Sequence, residues 1–195
     1  MFKFNFIVIV YIILFQFSDI AQIKDSSDST EVATSYGLIF GKEIEYRLED
    51  SLYTDVIKLL NLCDKTQAMQ FRLLINKAPD DSTILIFKDI NKGSDLNDPS
   101  WLLDYNVIRG PVAQNGASQD EIYVVIYNMN QNGGLLPGDY NNLITVSYRI
   151  ASIPDLKNDI KSSLKISQAE ASTFQGVAID IKPSRDELKI YVKRN

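Results

Sequence analysis

The residues of this sequence able to do acid–base chemistry are carboxylates. Asp104, Asp120, Asp139, Glu43, Glu45 and Glu121 form a pool from which glycoside hydrolysis would need two groups about 5–9 Å apart. Nothing in their spacing brings any two into one cleft, and acids at strand ends ordinarily serve solvation. No histidine occurs, which removes Ser-His-Asp and Cys-His catalysis in their usual forms and the commonest zinc ligand. Cys63 is the single cysteine. It rules out an intramolecular disulfide, and in a β-rich segment it reads as a small buried apolar residue rather than a nucleophile. The expectation is a non-enzymatic chain with no catalytic residues and no cofactor.

Two further groups invite a functional reading. The run Asp89-Ile90-Asn91-Lys92-Gly93-Ser94-Asp95-Leu96-Asn97-Asp98 offers alternate oxygen ligands like the start of an EF-hand loop. Its sixth position is Ser94 rather than glycine and its twelfth is Ser100 rather than glutamate, so a polar inter-strand loop is the preferred reading and no metal is expected. Trp101, Tyr105, Tyr123, Tyr127 and Tyr140 could together make a flat aromatic platform for sugar rings, since aromatics combine large contact area with a polar tip. In a β-protein such residues more often pack in the core or on a sheet surface.

The elements that must position these residues are organised around residues 120–150. Glu121-Ile122-Tyr123-Val124-Val125-Ile126-Tyr127 is a β-branched and aromatic run with almost no polar break, suited to a strand at least partly covered on both faces. An Asn- and Gly-rich turn, residues 128–134, follows and reads as a wide hairpin. Strict alternation comes next: Ile144, Val146, Tyr148 and Ile150 share one face of a half-buried strand, with Leu143, Thr145, Ser147 and Arg149 on the other. The same period sets Met69, Phe71, Leu73 and Ile75 against Gln70, Arg72 and Leu74. Further strands are expected over residues 34–40, 54–60, 83–90, 101–108, 163–167, 176–181 and 188–192. The charges of Glu43-Ile44-Glu45-Tyr46-Arg47-Leu48 suggest an edge position or a connector. Residues 61–66 read as a polar loop and 151–161 as a connection. About nine strands, no long amphipathic helix and no repeat point to an all-β, antiparallel β-sandwich of jelly-roll type.

The 195 residues fit one domain with tails, large enough to bury roughly 70% of the unfolded chain's surface. With 25 acidic against 20 basic residues, a net charge of −5 and no basic stripe, nucleic acid is not an expected partner. Lys3, an apolar run over residues 6–15 and a small residue at Ala21 make a secretory signal peptide over residues 1–21. The run is short for a membrane span, which takes about 20 residues, so contact with a membrane would come only through that segment left uncleaved. Residues 22–33 are Ser- and Asp-rich and read as a flexible lead-in. The folded part is then 34–195, in a secreted, extracellular or cell-surface protein.

A family resemblance rests on the strands. Thr54-Asp55-Val56-Ile57-Lys58-Leu59 followed by Gln67-Ala68-Met69-Gln70-Phe71-Arg72-Leu73 resembles the opening of a cohesin domain, and residues 122–128, 143–148 and 163–167 fit the same order. The resemblance spans roughly residues 34–192. It implies a nine-stranded jelly-roll sandwich that binds, through one sheet face, the dockerin module of another secreted or surface protein. Related sandwiches bind polysaccharide, so a carbohydrate-binding module is the alternative. Pro137-Gly138-Asp139-Tyr140 resembles the Pro-Gly-x-Tyr segment of spore-coat and pilin-type domains, which implies an adhesive subunit working by strand addition at an open edge. For docking through a sheet face, the expected partner-binding residues are Gln70, Arg72, Asn106, Tyr123 and Tyr127.

Overall fold

A computed structural model describes residues 37–48, 50–76, 85–109, 119–151, 160–181 and 187–193, all within the unit Thr34–Asn195. The signal-peptide and lead-in expectations lie outside the described residues. Two β-sheets account for the fold. The strands are β1 (Gly37–Phe40), β2 (Ile44–Leu48), β3 (Leu52–Leu62), β4 (Thr66–Asn76), β5 (Leu85–Lys92), β6 (Trp101–Arg109), β7 (Gln119–Asn128), β8 (Gly138–Ile150), β9 (Ile160–Thr173), β10 (Ala178–Asp180) and β11 (Glu187–Lys193). One sheet has the order β1-β3-β8-β5. The larger has the order β2-β11-β9-β4-β7-β6, with β10 also beside β9.

Alternation explains why these segments pair as they do. On β8, Ile144, Val146, Tyr148 and Ile150 are all buried, and on β4 so are Met69, Phe71, Leu73 and Ile75. They meet Ile122, Val124 and Ile126 of β7 and Leu164 and Ile166 of β9 in one core. Each fully buried side chain of this size contributes about 1.5–3 kcal/mol. A one-residue slip of any of these strands would turn its whole apolar set to solvent, so the register is firmly fixed.

Several expectations are corrected. Residues 129–137 do not close a hairpin: β7 pairs with β4 and β6, whereas β8 pairs with β3 and β5 in the other sheet. The connection is pinned on its way across, because Leu135 and Thr66 exchange backbone hydrogen bonds of 2.8 and 2.9 Å and Leu135 is buried. Residues 163–167 belong to a longer strand of 14 residues, β9. Its length lets β11 pair with Ile160–Lys165 and β10 with Glu170–Ser172. A bulge opposite Phe71, where Gln168 has a positive φ of 49°, separates the two halves. β2 does take an edge position, but it runs parallel to β11. Cys63 is exposed rather than buried, because it falls in the short turn between β3 and β4.

The sheets are also joined along both open sides. On one side Tyr105 of β6 packs edge-on against Phe87 of β5, ring centroids 5.5 Å apart, and its hydroxyl donates to Asp89 Oδ1 at 3.0 Å. On the other, Arg47 of β2 reaches across to β3. Its Nη2 donates to Asp55 Oδ1 at 2.7 Å, and its guanidinium lies 4.5 Å from the Tyr53 ring centroid. Tyr148 completes the group by donating to Asp55 Oδ2 at 2.6 Å. Burial alone would lower the Arg47 pKa, but Asp55, Tyr148 and Glu45 outweigh it and the pKa is raised.

Burial, with the Asp55 carboxylate adding to it, pushes the Tyr148 hydroxyl far above the ordinary tyrosine range. An unfolded tyrosine ionises near pH 10, while folded Tyr148 keeps its proton to higher pH. Unfolding therefore releases a proton once the pH passes about 10, and stability falls from there upward. Tyr148→Phe should remove that share of the alkaline loss. Denaturation midpoints followed above about pH 10 should then fall less steeply in the variant, and identical slopes would contradict this origin.

Candidate docking face

Because Met69, Phe71, Leu73 and Ile75 point into the core, Ala68, Gln70, Arg72 and Leu74 must point out of the larger sheet. The same logic puts Glu121, Tyr123, Val125 and Tyr127 of β7 outside, opposite the buried Ile122, Val124 and Ile126. The β6–β7 and β4–β7 registers then align these residues in rows. Asn106, Tyr123 and Arg72 stand side by side on three adjacent strands, and so do Asp104, Val125 and Gln70, and Leu102, Tyr127 and Ala68. All five residues expected to bind a partner thus lie on one outer face, spread over these three consecutive rows. Strands about 4.8 Å apart put the outer members of each three-residue row roughly 10 Å apart.

The face is ordered by its own contacts. Arg72 lies over Tyr123, 4.6 Å from the ring centroid, and its Nη1 is 3.8 Å from Glu121 Oε2. Tyr123 donates to that same Glu121 oxygen at 3.0 Å. Tyr127 donates to Asp104 Oδ2 at 3.3 Å. Partial burial, then the nearby Asp104 carboxylate, raise the Tyr127 pKa. Gln70 Nε2 donates to Glu170 Oε2 at 3.0 Å. Paired side chains of this kind have already lost part of their rotamer freedom, so less ordering remains to be done on binding.

Sequence reasoning missed Val125, Leu102 and Ile108, which supply the apolar part of this face. Reading the β7 run as covered on both faces concealed Val125, and on β6 the alternation read between Leu103 and Val107 left Leu102 and Ile108 unassigned. The structure leaves Leu102 and Ile108 exposed and Val125 half-buried, so the outward set is apolar without being core. A second apolar group, Ile44, Tyr46 and Leu48 of β2, is exposed at the other end of the sheet, with Tyr46 stacked on Tyr191 at 5.3 Å. The opposite sheet presents a different surface. Its outward residues include Thr54 and Ser147, hydrogen-bonded at 2.9 Å, Lys58 bonded to Asn141 at 3.3 Å, and Thr145 and Arg149.

The other chemical readings meet this geometry as follows. Trp101 is only 3% exposed and sits in the core, Tyr105 leans on β5, and the Tyr140 hydroxyl donates to Leu136 O at 2.6 Å. Of the five aromatic residues, only Tyr123 and Tyr127 share the outer face, so the five-ring platform does not assemble. In the Asp89–Asp98 run the carboxylates accept bonds from their own chain. Asp89 takes the Ile90 N–H, Asn91 and Tyr105, and the Asn91 amide leads in holding its pKa down. Asp95 takes the Asn142 N–H at 2.7 Å, and Asp98 takes both the N–H and the hydroxyl of Ser100. This loop closes over the start of β8, and it does so tightly. A Cβ on Gly93 would stand 1.9 Å from the Asn142 carbonyl oxygen. Among the carboxylate pool, Asp104 and Glu121 share the outer face. They stand four residues apart in register, roughly 14 Å along the strand direction, beyond glycosidase spacing.

No family model and no curated protein matches the sequence. Solved structures do match the fold. A non-cellulosomal cohesin from the archaeon Archaeoglobus fulgidus aligns over 82% of this chain and 91% of its own, with a TM-score of 0.55 and 19% identity. The sixth cohesin of scaffoldin B from Acetivibrio cellulolyticus, solved with a Cel5 dockerin, aligns over 82% and 100%, with a TM-score of 0.60 and 14% identity. A type I cohesin–dockerin complex from Clostridium thermocellum gives 89% and 99%, with a TM-score of 0.60 and 16% identity. The chain has a cohesin-like fold.

Proposed function

We propose that this chain is a non-enzymatic docking module that works outside the cytoplasm and binds a protein partner of the dockerin kind. The contact is made through the outer face of the larger sheet. The observation that carries this is the arrangement of Asn106, Tyr123, Arg72, Val125 and Gln70 in adjacent rows on a regular three-strand ladder. Tyrosine and arginine dominate the energetics of protein interfaces when they sit near the centre of the contact. Here Tyr123 and Arg72 are stacked on each other, with the apolar Val125 in the next row on one side and Ile108 and Leu74 in the next row on the other. Asp104, Glu121 and Glu170 surround them and would set partner orientation and association rate. Two of the similar cohesin structures were solved with dockerins, which supports the choice of partner class. Among the described residues, the outer face of the opposite sheet mixes Thr54, Thr145 and Ser147 with Leu52, Val56, Lys58 and Arg149 and presents no stacked tyrosine–arginine pair.

Calorimetric titration of the full chain with a panel of dockerin modules tests the reading. The expected result is saturable binding of at least one of them, one partner per chain. Heats indistinguishable from dilution across the panel, together with saturable binding of a soluble polysaccharide, would contradict it.

A further inference from the structure

The edge of the docking sheet carries an interaction surface of its own. Strand β6 is its last strand among the described residues and pairs with β7 in an unbroken nine-residue register. The Met129 N–H donates to Ser100 O at 2.8 Å, which fixes the phase of the antiparallel ladder. Alternation of narrow and wide pairs then turns the backbone groups of Leu102, Asp104, Asn106 and Ile108 toward β7. Those of Trp101, Leu103, Tyr105, Val107 and Arg109 point off the sheet. Trp101 confirms the phase, since its N–H donates to Asp98 O at 3.0 Å and its carbonyl accepts from Lys92 Nζ at 2.6 Å. Leu103, Tyr105 and Val107 follow it along the edge. Natural edges are blunted by charged side chains, proline, bulges or shortness; between Leu102 and Ile108 β6 carries one charge, Asp104, with no proline and no break in its register.

We infer that two copies of this chain associate through their β6 edges, antiparallel about a two-fold axis at Tyr105. The sequence of the strand selects that register. Centred on Tyr105, Leu102 meets Ile108 of the second copy, Leu103 meets Val107, and Asp104 meets Asn106. Apolar residues face apolar ones, and the single carboxylate faces an amide. A shift of the axis to Asp104 would set two carboxylates against each other, and a shift to Asn106 would set Asp104 against Ile108. The chosen register forms narrow pairs at Leu103–Val107, Tyr105–Tyr105 and Val107–Leu103, about six backbone hydrogen bonds in all. A two-fold contact closes on itself, so association stops at the dimer. The larger sheets of the two copies become continuous, and their outer faces remain open to solvent.

Sedimentation of the full chain, without any partner, tests this independently of docking. The expected result is a dimer whose fraction rises with concentration. Val107→Pro, which removes an outward N–H at a position where edge proline is tolerated, should leave a monomer. Asn106→Asp sets a carboxylate against Asp104 twice across the axis and should weaken dimerisation roughly tenfold. Register is read by oxidation in a Cys63→Ser background. Tyr105→Cys should give a covalent dimer, since a narrow pair holds its Cα atoms about 5.5 Å apart. Asn106→Cys should not, because its symmetry mate lies about 8 Å away. A chain that stays monomeric, or a dimer indifferent to Asn106→Asp and cross-linked equally at both positions, would overturn the proposal.

Discussion

Replacing Asp55 by alanine should lower the stability of the fold by about 2–3 kcal/mol, less than the roughly 3–5 kcal/mol for one partner of a fully buried ion pair, because this pair is part-buried. Asp55 accepts from Arg47 through one oxygen and from Tyr148 through the other. The side chains of Arg47 and Asp55 are only 16% and 13% exposed. Without Asp55 the guanidinium keeps its burial and loses its nearest counter-charge, while the Tyr148 hydroxyl loses its acceptor inside the core. The damage reaches beyond one bond, since Arg47 is the side chain that holds edge strand β2 to the opposite sheet. Two comparisons separate this cause from a general effect of losing charge. Arg149→Ala, which breaks an ion pair with Asp50 between exposed side chains, should cost less than about 1 kcal/mol. Replacing both partners with apolar residues, Arg47→Met with Asp55→Leu, should restore only part of the loss: the guanidinium is no longer left uncompensated, but the Tyr148 hydroxyl still lacks its acceptor. Chemical denaturation of the three variants beside the parent decides it. An Asp55→Ala midpoint close to that of Arg149→Ala would show that the cluster is not the fastening described.

What the sequence made legible follows from which physical signals are local. Period-2 alternation is one of them, and it located Tyr148, Val146, Phe71 and Leu73 in the core and so put Gln70 and Arg72 outside. Sheet membership is not local. The Asn- and Gly-rich residues after β7 announce a change of direction, but only the bridge between Thr66 and Leu135 decides that the chain crosses to the other sheet. The inward reach of Arg47 was hidden for a related reason. Charges on a short alternating segment mark an edge correctly, yet they do not tell that a half-buried carboxylate waits on β3. Cys63 was misplaced because its burial depends on where β3 ends, and strand ends are the least legible feature of a chain.

The docking residues were partly legible. Tyr123 and Tyr127 were found as aromatics on a strand, and Asn106 as a polar residue on an alternating one. Val125 was not, since a valine in an apolar run looks like core until the neighbouring register shows Gln70 and Asp104 on either side of it. The acidic loop was legible as a polar inter-strand segment, but its bonding was not. Its carboxylates accept from Asn91, Ser100, Tyr105 and Asn142, and Tyr105 and Asn142 are partners that only the fold brings near.

The second large effect is expected at Val125. It lies at the middle of the proposed contact, so an arginine there would bring an unpaired charge and extra volume into the centre of an interface that excludes water. Truncations at such positions commonly cost 2 kcal/mol or more, and burying an unpaired charge costs more still. The affinity for a dockerin partner should therefore drop by at least about a hundredfold. Thr145 is the matching position on the outer face of the other sheet, opposite Val56 in the β3–β8 register. The most direct measurement is the affinity of one dockerin for the parent, Val125→Arg and Thr145→Arg, with folding of each verified by its denaturation midpoint. The account predicts loss of binding in the first variant and parental affinity in the second. Parental affinity in Val125→Arg, with loss in Thr145→Arg, would place the contact on the other sheet and contradict it.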